Sequence, residues 1–144
     1  MDFINRLIYA LTESHPIHAM VVHFPIALTG AAALFILLAL WKKDDFFERA
    51  AFANIALAML GTIIAALTGI YDGQRNYGGA VPNGSVKMIL SILLFVITTS
   101  LTVLRWKNPN LLKTAKVLYS SAYFISFSLA LILGFLGGVI LYGF

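Results

Sequence analysis

Apolar residues fall into four long runs, over positions 19–41, 50–70, 86–104 and 117–141. Polar or turn-forming residues end the first three. Lys42, Lys43, Asp44 and Asp45 close the first, with Glu48 and Arg49 just beyond. Tyr71-Asp72-Gly73 closes the second, and Arg105-Trp106-Lys107 with the breaker Asn108-Pro109 closes the third. A helix needs about 20 apolar residues to cross a bilayer core. It also satisfies its own backbone hydrogen bonds, which lipid cannot do. Barrel strands are about half this length and alternate in polarity, and these runs do neither. The pattern predicts an all-α fold: an integral membrane four-helix bundle forming one membrane domain over 1–144.

Ahead of the first run, Phe3, Ile4, Leu7, Ile8 and Leu11 recur at helical spacing, while Asp2, Asn5, Arg6 and Glu13 fall mostly elsewhere on the wheel. This predicts a short amphipathic helix over 1–13, lying along the membrane surface. A soluble helix packed on the outer loop is the alternative. Gly73, Gly78, Gly79, Pro82 and Gly84 mark the segment after the second run as turns. No long-period repeat is visible.

Composition narrows the function classes. Hydrophobic residues make up 60% of the 144 positions and charged residues 11%, against about 25% charged in an ordinary soluble domain. That excludes a large extramembrane catalytic domain, a disordered regulator and a conventional nucleic-acid binder. The absence of cysteine excludes disulfides, thiolate metal sites, iron–sulfur clusters and covalently attached c-type haem. The start of the chain lacks a signal-peptide pattern.

The net charge of +4 is a matter of topology. Lys42, Lys43, Arg49, Arg105, Lys107, Lys113 and Lys116 fall on one side of the bundle, and Arg6, Arg75 and Lys87 on the other. The positive-inside rule assigns the side with seven to the cytoplasm. The expected location is the cytoplasmic (inner) membrane, with both termini on the outer side.

Polar and small residues inside the spans converge on that outer half. His15, His18 and His23 straddle the start of the first helix. An ionisable group at the depth of His23 is expected to face the interior with a partner. Pro25 frees the carbonyl of Val21 and is expected to kink the helix. In the second helix Asn54, Ala58, Gly61, Ala65, Thr68 and Asp72 share one face, which should pack inward. The fourth carries Ala130, Gly134, Gly137 and Gly138. In the cytoplasmic half, Asn54, Ser121 and Ser128 are the polar exceptions. Close helix packing explains both stripes as well as a pocket does.

Neutral imidazole ligates haem iron, copper and zinc. All three histidines lie in one segment, so a second axial ligand would have to be Met88, Lys87 or a group from another subunit. A quinone hydrogen-bonded to His23 also fits the pattern. Hydrolysis finds no nucleophile motif, and phosphate binding no G-K-[ST] loop. Transport finds no paired intramembrane charges and no inverted repeat.

The stretch His15-Pro16-Ile17-His18-Ala19-Met20-Val21-Val22-His23-Phe24-Pro25-Ile26 resembles the opening motif of an uncharacterised bacterial membrane family, the "domain of unknown function 2231" group. Ala66-Leu67-Thr68-Gly69-Ile70-Tyr71-Asp72 resembles the end of that family's second helix. Gly134-Phe135-Leu136-Gly137-Gly138-Val139-Ile140-Leu141-Tyr142 resembles the end of its fourth. Ala19 stands where members usually have proline. Lys87-Met88 stands near the place where many carry a further histidine. The resemblance implies a four-helix membrane protein, sometimes found beside cytochrome-type domains, without an established activity.

The leading expectation is a redox group, b-type haem first, held in the outer half of the bundle by an electron-transfer subunit without independent enzymatic activity. His18 and His23 are the preferred ligands of haem or metal, His15 is next, and Met88 is the second axial candidate. Gly61, Thr68, Gly69, Gly134, Gly137 and Gly138 would line the pocket. The alternative is a cofactor-free structural or assembly subunit of a larger membrane complex. A divalent-metal or quinone site is the third reading. Expected partners are membrane lipid and other subunits or further copies of the chain; no nucleic acid is expected.

Overall fold

The computed structural model describes residues 2–5 and 17–142. Among them there are helices and turns but no strand. The helices are α1 (Ile17–Val21), α2 (His23–Lys42), α3 (Asp45–Tyr77), α4 (Gly84–Lys107), α5 (Leu111–Thr114) and α6 (Lys116–Tyr142). Four segments are long and apolar enough to cross a membrane: Ile17–Lys42, Asp45–Tyr77, Gly84–Lys107 and Lys116–Ile140. They form an antiparallel four-helix bundle in which α2 packs on α3 and α6, and α4 packs on α3 and α6. The all-α bundle read from the apolar runs is therefore the fold. Of the surface helix expected over 1–13, residues 3–5 are helical with Phe3 and Ile4 exposed; positions 6–13 lie outside the described residues.

Local chemistry sets the helix ends. The Asp44 side chain accepts the Phe46 N–H at 2.8 Å, which caps α3, and Asp45 and Glu48 complement the dipole in its first turn. Lys43, in the left-handed region at φ 56°, turns the chain between α2 and α3. The first span is interrupted at Val22. Pro25 explains this: it has no N–H for the Val21 carbonyl, and its ring crowds that carbonyl. The adjacent bond from Ile26 N–H to the Val22 carbonyl is stretched to 3.4 Å.

The second spanning helix outruns the sequence expectation at both ends: it begins at Asp45 and not at Ala50, so Glu48 and Arg49 lie within it. The second spanning helix does not stop at Tyr71-Asp72-Gly73 but continues to Tyr77. Gly73 is buried inside it, and Val81 closes over it so tightly that a Cβ there would meet Val81 Cγ2 at 3.1 Å. The helix stops at Gly78, whose φ of 56° suits the left-handed C-terminal position that glycine fills most easily.

The bundle is small-inside and large-outside. Its fully buried side chains include Thr29, Thr98 and Ser126 beside Ile36, Ile55 and Tyr123. Leu34, Leu57, Ile64, Leu67, Ile89, Ile92 and Phe135 are exposed on the outer surface. Lipid is as apolar as leucine, so close approach of small residues, not segregation of large ones, holds such helices together. Three of the buried hydroxyls are satisfied on their own helices: Thr29 donates to the Pro25 carbonyl at 2.7 Å, Thr98 to that of Leu94 at 2.9 Å and Ser126 to that of Ala122 at 2.8 Å. The α3 stripe points inward as expected, with Ala58, Gly61, Ala65 and Asp72 buried. On α6 Ser121 and Ser128 are exposed, whereas Ser120 and Ser126 are buried.

Candidate functional site

The bundle carries a polar assembly near each end. At the first, α1 meets the last turns of α3. His18 lies in the first described turn of α1, where a backbone N–H has no intrahelical acceptor. Its N–H donates to Asp72 Oδ2 at 2.8 Å. Buried Asp72 thus caps one helix from another. The Thr68 hydroxyl donates to its own helix, to the Ile64 carbonyl at 3.0 Å or that of Ala65 at 3.1 Å. Its oxygen also lies 3.3 Å from the His18 ring Nδ1, within hydrogen-bond distance. The ring lies on Gly69, where a Cβ would stand 2.9 Å from Cε1. Lys87, half-buried at the start of α4, and Asp72 are the charged side chains whose fields reach the ring.

His23 does otherwise. Five residues along a helix is a turn of about 140°, and the His23 side chain is exposed. Its Nδ1–H donates to the Ala19 carbonyl of its own segment at 2.7 Å. The inward-facing position expected for it is thereby corrected. Met88 is also exposed, on the outer surface. The structure brings His18 together with Thr68, Gly69 and Asp72, and does not bring it together with His23 or Met88. His15 lies outside the described residues. Among the described residues no three His, Asp or Glu side chains form a metal-sized cluster.

The glycines expected to line a pocket are mostly occupied by side chains. Pro25 Cδ lies 3.4 Å from where a Cβ on Gly61 would stand, and Ile26 Cδ1 lies 2.8 Å from the corresponding point on Gly134. With the His18 ring on Gly69, side chains of α1 and α2 occupy the places beside these three glycines where a flat group would press on the backbone. Gly137 and Gly138 have no foreign atom of the described residues within 4 Å of a built Cβ.

The second assembly, at the other end, was not anticipated. Glu48 and Arg105, read as loop charges, are a buried pair between α3 and α4. Arg105 Nε and Nη2 donate to Glu48 Oε1 and Oε2 at 2.5 and 2.8 Å. The Tyr119 hydroxyl donates to Glu48 Oε1 at 2.9 Å, and the Tyr123 hydroxyl lies 2.8 Å from that of Tyr119. The guanidinium also lies over the Phe52 ring, 5.2 Å from its centre. The signal available in the sequence was Tyr119 and Tyr123, four apart and continuing through Ser126 to Ala130 on one face of α6. No residue pattern shows that this face meets Glu48.

No curated protein and no solved structure matches the chain. A profile of the family described as "Predicted membrane protein (DUF2231)" matches residues 14–144. That match contains the histidine segment, the Thr68–Asp72 segment it clasps and all four apolar helices, and the chain belongs to this family of membrane proteins.

Proposed function

We propose that the chain is a structural or assembly subunit of a larger membrane complex, seated in the inner membrane with its lysine- and arginine-rich end in the cytoplasm. One observation carries this reading. The small residues of α3 and α6 are used for helix contact, with Pro25 on Gly61, His18 on Gly69 and Ile26 on Gly134. The family motifs then serve as an interhelical clasp. The open Gly137–Gly138 face of α6 is where a helix from another subunit, or from a second copy, would seat. The orientation rests on the seven basic residues at one end.

Gentle extraction followed by native mass measurement tests the reading. The chain should leave the membrane in a particle heavier than its own 15.7 kDa, and Gly137→Leu should release it. A wild-type chain that is a stable monomer overturns the proposal.

A second reading rests on His18. Thr68 tethers Nδ1, and one ring nitrogen tethered while the other, Nε2 here, faces a ligand is the usual arrangement of a ligating histidine. It favours a redox group shared with a neighbouring subunit, b-type haem first, or a divalent metal or quinone at the same nitrogen. For haem, the gently purified particle should show a Soret band and an α-band in reduced-minus-oxidised spectra, with stoichiometric iron. Both should be lost in His18→Ala. Spectra without those bands set the haem form aside.

A further inference from the structure

The first turns of α3, the end of α4 and the segment joining α4 to α6 enclose a half-open cavity of about 310 Å³ beside the Glu48–Arg105 pair. That is within the size range of ligand pockets, roughly 300–1,000 Å³. One wall is rigid. Glu48 is held by two donors of Arg105 and by Tyr119, so its charge is consumed there. Arg105 has five N–H donors, and its Nη1 makes no hydrogen bond among the described residues. Arg49, from α3, and Lys113, from α5, also line the cavity. Both are exposed, and among the described residues neither makes an ion pair or a side-chain hydrogen bond. Asp45 is the opposing charge in the lining, leaving the cations in excess. Pro109 and Leu112 supply an apolar side.

The cavity's level in the membrane is marked independently. Trp41 at the end of α2 and Trp106 at the end of α4 are both exposed at this end of the bundle. Exposed tryptophans of this kind belong at the height of the lipid headgroups. A mixed cationic and apolar pocket at that height suits a phosphate attached to acyl chains. The geometry points to a binding site for the phosphate headgroup of an anionic phospholipid, gripped by Arg49 and Lys113. The shared chemistry, a phosphate monoanion, is also offered by free phosphate. The apolar wall and the tryptophan level favour the lipid.

Native mass spectrometry of the detergent-purified protein titrated with phosphatidylglycerol or phosphatidylcholine tests this. The wild type should retain phosphatidylglycerol in preference to phosphatidylcholine. The double variant Arg49→Ala/Lys113→Ala should bind phosphatidylglycerol at least roughly tenfold more weakly, given the pull of each basic residue on anionic lipid. The control Lys107→Ala/Lys116→Ala removes the same charge from the same end outside the cavity and should bind as the wild type does. Unchanged helical circular dichroism and melting temperature will show that both variants fold. Equal loss in the control overturns the site, as does equal retention of the two lipids. Displacement of the bound lipid by millimolar inorganic phosphate overturns the lipid as its occupant.

Discussion

His18 and His23 stand five residues apart and do different work. His18 ties α1 to α3 through its backbone N–H to Asp72, its ring to Thr68 and its face to Gly69. Among the described residues His23 bonds to its own segment alone, at Ala19. Replacing His18 with Ala removes a cross-helix hydrogen bond and ring packing on α3. The cost should be about 1–2 kcal/mol, the scale of one such bond and a partial cavity. His23→Ala removes an exposed ring and should stay within roughly 0.5 kcal/mol. Equilibrium unfolding in mixed micelles measures both. Equal effects would show that the clasp is not built on His18. Gly69 belongs to the same unit: the ring lies where its Cβ would stand, so Gly69→Ala should displace the ring and weaken its bond to Thr68.

At the scale of elements, the boundaries follow local rules where a single residue imposes them. Asp44 caps α3, Pro25 interrupts the first span, and Gly78 ends α3. The extension of α3 to Tyr77 follows no local rule. Gly73 weakens a helix by its flexibility, but here α3 gains Val81 as a neighbour on the side where Gly73 has no side chain. A prediction at this scale concerns Gly78. Nothing lies within 4 Å of a Cβ built there, so only its positive φ resists substitution. Gly78→Ala should destabilise the bundle by about 1 kcal/mol, read as a lower midpoint in the same unfolding assay. Gly137→Ala adds a methyl group to an open face of α6 and should leave the isolated chain as stable or more so.

At the scale of the whole molecule, the Glu48–Arg105–Tyr119–Tyr123 network joins three of the four spanning helices at one end. Glu48 is 5% exposed, so removal of Arg105 would strand a carboxylate in an apolar setting. Arg105→Ala should cost about 3–5 kcal/mol, whereas Glu48→Met with Arg105→Met together should cost much less, because no charge is left unpaired. Tyr123→Phe removes the hydroxyl beside Tyr119 and should cost about 1 kcal/mol. The unfolding free energies of the single and double variants check this. A double variant as unstable as Arg105→Ala would show that the pair contributes more than mutual neutralisation.

The apolar runs by themselves determined the number of spanning helices and their approximate limits, because lipid leaves a long apolar segment no alternative to a helix; the spacing of small residues marked the inward face of α3, and the His15–Ile26, Ala66–Asp72 and Gly134–Tyr142 motifs marked the family. Thr68, Gly69 and Asp72 were legible as one face, and His18 as a polar residue beside them, because helical spacing is a local property. Tertiary structure decided the rest. It turned His18 onto α3 and His23 outward, filled the glycines with Pro25, His18 and Ile26, and buried Glu48 against Arg105 and Tyr119. Periodicity shows which residues share a face, but only packing shows which face of another helix they meet. Distant groups such as Glu48, Arg105 and Tyr119 acquire their chemistry from that meeting.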